Sequence, residues 1–226
     1  DMASSNYFGF DINPDLVKAT KMNMVMNNDG SGNILQTNSL LPPHEWTDEF
    51  KTRLAEALQI KKQDIKNHKT IGFFDVIVTN PPFGASIPVQ DSVILEQFEL
   101  AHIWNQDKKS GKWTMTDKLQ ASVPPEILFI ERCTQFLKEK GRMAIVLPDA
   151  ILGSPGLGYI REWLILNHRI VASIDLHVDT FQPRNGTQTS VLVLEKKSKE
   201  QKDKEAKSGE MANYNIFMSM VEKVGH

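Results

Sequence analysis

Asn80-Pro81-Pro82-Phe83 is the stretch of this chain whose residue types and order could do chemistry. A residue before proline is pushed out of the helical region, and that applies to Asn80 and Pro81 in succession. Two prolines also remove two N–H donors. What remains is a stiff loop with bare carbonyl acceptors, a side-chain amide of set direction and an aromatic ring. It suits a planar group bearing –NH2. The Asn80 side-chain oxygen and the Pro81 carbonyl each accept one amino hydrogen, and Phe83 stacks on the ring. The exocyclic nitrogen of adenine is a poor nucleophile because its lone pair is delocalised. Two acceptors on its hydrogens localise that pair for attack on a methyl donor. Asn80 is neutral and no strong base, so the proton leaves after transfer. The bland alternative is turn punctuation. Placement directly after the most apolar strand favours chemistry, because open α/β sheets bind ligands beyond the carboxyl ends of their strands.

The elements that must position this loop follow a strand, turn, helix rhythm. Residues 7–11 read as a strand ending in Asp11. A helix follows, with Asn13 as cap, Pro14 in its first position and Asp15 at its positive end. Leu16, Ala19, Met22 and Met26 share one of its faces. Residues 29–32 mark a turn and 33–37 a second strand. Phe50, Leu54 and Leu58 predict a surface helix. Residues 73–79 are apolar without alternation, the pattern of a strand covered on both faces. Residues 99–122 are polar, and no element is assigned there. A helix begins near Pro125, with Phe129, Cys133, Phe136 and Leu137 as its buried face and Gly141 as its stop. Residues 143–147 form a strand, 159–167 a helix, and 170–176 and 190–194 two further strands. Those last two are separated by too short a spacer for a helical crossover, so they pair antiparallel. The expected fold class is α/β, a mostly parallel sheet with one antiparallel late strand near an edge.

Composition narrows the rest. The 226 residues, 40% hydrophobic and 24% charged, are ordinary for a globular domain. No apolar run reaches the roughly 18 residues of a membrane span. The start of the chain lacks a signal segment, which predicts a cytoplasmic location. One cysteine, Cys133, excludes a disulfide framework and a multi-cysteine zinc site. A formal charge of −2 makes any nucleic-acid contact local or shared with a partner. Residues 195–210 mix lysines and acids and read as a solvated tail or linker, with a DNA-contacting arm as the alternative. Residues 214–221 are apolar again and should dock on the domain or on another part. The domain division is thus 1–195 and 196–226.

Phe74-Asp75-Val76-Ile77-Val78-Thr79-Asn80-Pro81-Pro82-Phe83-Gly84 resembles the catalytic motif of amino-directed DNA methyltransferases, in particular the modification subunits of type I restriction-modification systems. Phe8-Gly9-Phe10-Asp11-Ile12-Asn13-Pro14 is similar to that family's second strand. The segments from Glu126 to Cys133 and from Gly141 to Asp149 resemble the following helix and strand, and Phe181 to Leu192 the late hairpin. The resemblance covers residues 7–195 in order. It implies a Rossmann-like S-adenosylmethionine (SAM)-dependent methyltransferase sheet, double-stranded DNA as substrate with the target adenine flipped out, and specificity and restriction subunits as partners. Asn80, Pro81, Pro82 and Phe83 would be catalytic. Asp11 would hold the ribose hydroxyls of SAM, unless it is merely a helix-start acid, and Ile12 would pack on the cofactor's adenine. Asn38, with Ser39 beside it, stands where the family has an aspartate accepting from the cofactor's amino group. Asn80 also belongs to the cofactor set. Phe181 would help Phe83 enclose the base, or else anchor the hairpin.

Two departures are notable. The family's glycine-rich cofactor loop and first strand should precede Asp1, so the chain is expected to be a fragment that binds SAM poorly and does not methylate alone. The Gly153–Gly158 stretch is expected to be an ordinary rim loop rather than a cofactor cradle. The histidines (His44, His68, His102, His168, His177, His226) show no metal spacing and read as surface or structural, so no metal is expected. Ser154, Ser173 and Ser190 lack a nucleophile elbow. Trp104 and Trp113 either anchor a long loop or touch DNA. Other functions stay open: a methyltransferase acting on RNA or on protein glutamine, and a catalytically silent scaffold of a restriction complex.

Overall fold

The computed structural model describes residues 6–28, 32–84, 87–183 and 186–224. Residues 29–31 of the expected turn, the first five residues and His226 lie outside them. The chain divides into two compact units, Asp1–Ile71 and Gly72–His226.

In the first unit, β1 (Gly9–Asp11) pairs in parallel with β2 (Ile34–Gln36) across α1 (Pro14–Met26). Asn13 caps α1, its Oδ1 accepting from Asp15 N at 2.9 Å and Leu16 N at 3.4 Å. The face carrying Leu16, Met22 and Met26 is exposed, and Val17 is the residue the helix buries. Apolar spacing marked a stripe without telling which side packs. In α2 (Asp48–Leu58), capped by Thr47, Phe50 and Leu54 are buried. Phe50 meets the rings of Phe10 and Trp46 edge-on, with centroids 5.3 and 5.1 Å away.

The second unit holds a five-stranded sheet in the order β3 (Phe74–Thr79), β6 (Leu137–Pro148), β8 (Thr189–Lys196), β7 (His168–Asp175), β9 (Phe217–Met220). Its other members are a short helix α3 (Ser92–Leu95), the antiparallel hairpin β4 (His102–Gln106) and β5 (Trp113–Leu119), and helices α4 (Pro125–Phe136), α5 (Asp149–Gly153), α6 (Gly158–Asn167) and α7 (Lys199–Ser208). β3 runs parallel to β6 and β9 parallel to β7, while β8 is antiparallel to both β6 and β7. The expected antiparallel pair is therefore present. It stands in the middle of the sheet rather than near an edge, because β9 adds a strand outside β7.

Several local expectations change. β3 is not covered on both faces: it is a terminal strand of its sheet, and Val76 and Val78 are 67% and 80% exposed. Its apolar run reports strand-forming side chains, not the number of layers around them. α4 ends at Phe136, five residues before Gly141, because Leu137 is already extended. Lys196 Nζ takes up the Thr134 and Leu137 carbonyls at 2.7 Å each. Gly141 has another reason to be glycine, since a Cβ there would lie 2.9 Å from Lys138 O and 3.1 Å from Asp75 O. Phe129 is only half-buried, while Ile127, Leu128, Ile130, Cys133 and Phe136 are buried, so α4 packs on most sides. The polar stretch 99–122 contains the β4–β5 hairpin, and in the 153–158 stretch extended Ser154 and a 3-10 turn (Pro155–Leu157) join the end of α5 to the start of α6. The charged segment forms α7, exposed except at half-buried Glu205 and begun by a Ser198–Gln201 capping box. Buried Lys197 tethers it, bonding Ile165 O at 2.8 Å and Glu205 Oε2 at 2.6 Å. Among the described residues no helix is long and apolar enough to cross a membrane.

Candidate active site

In the second unit the site is built from the carboxyl ends of parallel strands. β3 ends at Thr79, opposite Ile145 of β6, and the chain passes into Asn80-Pro81-Pro82-Phe83. Asn80 and Pro82 are exposed, Pro81 is buried and Phe83 is half-buried. The loop is thus seated by one proline and presents its amide outward. Its far end is fixed by a residue that motif reading did not single out for a role. Gly84 N donates to Glu126 Oε2 at 3.0 Å, and Glu126 is buried in the first turn of α4. A carboxylate there also gains from the positive end of the helix. A buried acid in a helix's first turn, 42 residues on from the loop, offers no sequence signal that it reaches a particular N–H.

Phe83 lies edge-to-face against Phe181, centroids 5.8 Å apart and planes at 85°. The two aromatics singled out in the sequence are therefore brought together. In this arrangement the rings touch each other, so a flat guest stacks on a ring face rather than in a ready slot. Phe181 closes a short 3-10 turn (Val178–Phe181) in the connection between β7 and β8. That connection is held by Gln188, whose Nε2 donates to Asp175 Oδ1 at 2.7 Å. Asp149, the residue after β6 and the first of α5, bonds across it: its N–H donates to Gln188 O at 3.0 Å and its Oδ1 accepts from Ser190 Oγ at 2.8 Å.

Of the residues assigned to the cofactor, Asp11, Ile12, Asn38 and Ser39 lie in the first unit and Asn80 in the second. Asp11 ends β1, and its Oδ1 accepts from Asn13 N at 2.7 Å, which fixes the carboxylate plane. The helix-start role and a ligand role are compatible here, because one oxygen serves the cap. Ile12 beside it is 62% exposed, an apolar surface available to a flat ring. Asn38 and Ser39 are half-buried. Asn38 Oδ1 accepts from Leu40 N at 3.1 Å, so the amide is directed by its own turn. A carboxylate, an exposed apolar side chain and a fixed amide, all at or just after the carboxyl ends of parallel strands, fit a nucleoside-bearing cofactor.

His168 and Cys133 are buried in the second unit. His168 is fully buried between Leu164 O at 3.2 Å and Thr134 Oγ1 at 3.0 Å. Burial pushes its pKa down to about 3. Burial pushes the Cys133 thiol up to about 12, which keeps it inert. Trp104 and Trp113 both pack on Tyr159, with centroids 5.8 and 5.9 Å from it, and so anchor the hairpin. Among the described residues no group of three or more His, Cys, Asp or Glu could hold a metal ion.

A mixed α/β sheet with an acceptor-bearing loop beyond a parallel strand is the architecture of Rossmann-like methyltransferases. The chain belongs to the N-6 DNA methylase family, which it matches over residues 1–208. Over 130 residues, 54% of the chain, it is 28% identical to the type I restriction enzyme EcoEI methylase subunit of Escherichia coli. It superposes on the type I restriction-modification methyltransferase subunit of Streptococcus thermophilus with a TM-score of 0.56 and 22% identity, covering 86% of this chain and 34% of that one. The type ISP restriction-modification enzyme LlaGI, solved with a DNA substrate mimic, gives a TM-score of 0.62 at 15% identity over 95% of this chain and 20% of its own. The chain spans 21% of the length of the curated relative.

Proposed function

We propose that the protein transfers a methyl group from SAM to the exocyclic amino nitrogen of a flipped adenine in double-stranded DNA, as the modification subunit of a type I restriction-modification system. The observation that carries this is the exposed Asn80 on a proline-stiffened loop at the carboxyl end of β3, with Phe83 beside it. Membership of the N-6 DNA methylase family supports it.

Asn80 Oδ1 and the Pro81 carbonyl accept the two amino hydrogens and aim the nitrogen's pair. Phe83 stacks on the base, and Phe181, at its edge, limits the base's lateral freedom. The base reaches the loop only after leaving the duplex. Asp11 accepts from the ribose hydroxyls of the cofactor through Oδ2, Oδ1 being committed to the cap. Ile12 packs on its adenine, and Asn38 and Ser39 meet its amino edge. Bound SAM supplies an electrophilic methyl group. In that transfer the S–C bond would break as the N–C bond forms, the bonding pair would stay with sulfur, and the amino nitrogen held by Asn80 Oδ1 and the Pro81 carbonyl would then shed its extra proton to water. The duplex, a specificity subunit and a restriction subunit are the partners on this reading, and its setting is the cytoplasm.

The test is methyl transfer from labelled SAM by the full-length protein, with and without co-purifying subunits. Label should enter adenine of DNA, and Asn80→Ala should lower the rate by roughly 10²–10³-fold, the scale for losing one charge-stabilising contact. Equal rates would remove Asn80 from its role. Label entering RNA or protein glutamine instead would replace the substrate, and no label with an intact cofactor site would point to a scaffold.

A further inference from the structure

We propose that the β4–β5 hairpin grips the DNA backbone, with Lys108, Lys109 and Lys112 at its tip contacting phosphates beside the adenine site. The proposal rests on the DNA reading above.

The hairpin leaves the chain between the Asn80 loop and α4, and its direction follows from what it touches along α6. At its base, Glu99 Oε2 accepts from Trp163 Nε1 at 2.6 Å, in the second half of α6. Further out, Trp104 stacks on Tyr159 with planes at 24°. Nearest the tip, Trp113 N donates to Glu162 at 3.2 Å, and the Trp113 ring sits against Gly158, the first residue of α6. From base to tip the hairpin therefore runs toward the start of α6. That start follows β6 through α5 and a single 3-10 turn, and Arg161 Nη1 ties it back to Ile151 O and Ser154 O at 3.0 and 2.9 Å. The tip lies on the carboxyl side of the sheet, where Asn80 opens.

The tip itself is shaped and basic. Asp107 Oδ1 accepts from Lys109 N at 3.0 Å, Ser110 N at 2.7 Å and Ser110 Oγ at 2.8 Å. Gly111 supplies the positive φ of 72° that closes the turn, and Gln106 Nε2 bonds its carbonyl at 2.9 Å. The one carboxylate of the tip is thus spent on the turn, while the three lysines are exposed. A stiff arm carrying three ammonium groups is pre-ordered for a phosphate backbone, and each phosphate it neutralises adds about 0.9 to the salt dependence of binding. It also answers how a chain with a net charge of −2 engages DNA: the positive charge is local.

The test uses the full-length protein carrying Lys108→Ala, Lys109→Ala and Lys112→Ala together. Binding to duplex DNA is followed against salt, and KM and kcat are measured separately. The expected result is a KM for DNA at least about 5-fold higher at ~0.1 M salt, and a slope of log K against log salt shallower by about 2. The loss should fall in KM for DNA rather than in KM for SAM, and the lysine-to-glutamate version should weaken binding further. KM and slope both matching the parent overturn the proposal, as does a loss confined to RNA duplexes. Binding is read without turnover, so the two hypotheses fail separately. If Asn80→Ala stays active while the slope drops, the methyltransfer reading falls and the hairpin stands. An inactive Asn80→Ala with an unchanged slope gives the converse.

Discussion

Glu126 is the residue on which the stiffness of the Asn80 loop turns. Pro81 and Pro82 have no N–H to give, so the loop is held where β3 ends and again where Gly84 meets the carboxylate. A hydrogen bond to a charged acceptor is roughly twice as strong as a neutral one. Two conservative variants separate the bond from the charge. Glu126→Asp keeps the charge at the helix start but draws the oxygens back by about 1.5 Å, one carbon–carbon bond. Glu126→Gln keeps an acceptor oxygen and loses the charge. We expect Glu126→Asp to lower kcat at least ~10-fold with KM for SAM within twofold, a displacement effect, and Glu126→Gln to stay within about threefold of the parent. Steady-state kinetics on protein with an intact melting transition checks this. Equal defects in both variants would make Glu126 a structural acid only.

At the scale of elements, the hairpin depends on one missing methyl group. A Cβ on Gly158 would sit 2.8 Å from Trp113 Nε1 and 3.2 Å from two further ring atoms, so the indole must shift for any other residue to fit. Gly158→Ala should therefore cost about 1–3 kcal/mol, the range for overpacking a tight site, and lower the melting temperature. Gly153→Ala is the control. Nothing lies within 4 Å of the new methyl group, and glycine in a helix is inferior to alanine. Its melting temperature should hold or rise. The same glycine-bearing segment looked like an ordinary loop in the sequence because glycine there signals flexibility. In the fold it signals the approach of an aromatic from 45 residues earlier, which no local pattern carries.

At the scale of the whole molecule, two buried groups, His168 and Glu131, make stability depend on pH. His168 stays neutral in the folded chain until about pH 3, whereas the unfolded imidazole protonates near its ordinary 6.5. As pH falls from 6.5 toward 3 the unfolded state binds the extra proton, so stability drops by up to about 1.4 kcal/mol per pH unit. Burial pushes Glu131 the other way, up to about 7, so its stabilisation is lost as pH rises between 4.5 and 7. Comparing His168→Gln with the parent cancels the Glu131 effect. Chemical denaturation at pH 7 and pH 4 should show the parent losing more stability than the variant, and parallel losses would contradict the assignment. Much of this protein was nonetheless readable without coordinates. The main strands and helices outside the β4–β5 hairpin, α7 and β9, the Asn13 cap and the Asn80 tetrad after its strand all follow from local rules: periodicity, capping chemistry and the conformational grip of proline on its neighbours. These act over a few residues, so the amino-acid order determined them. Which face of α1 is covered, where β8 stands in the sheet, which carboxylate holds Gly84 and where the hairpin points were decided only by the tertiary structure. Each depends on groups tens of residues apart competing for the same space or the same hydrogen bond, and that competition is resolved only once the chain has packed.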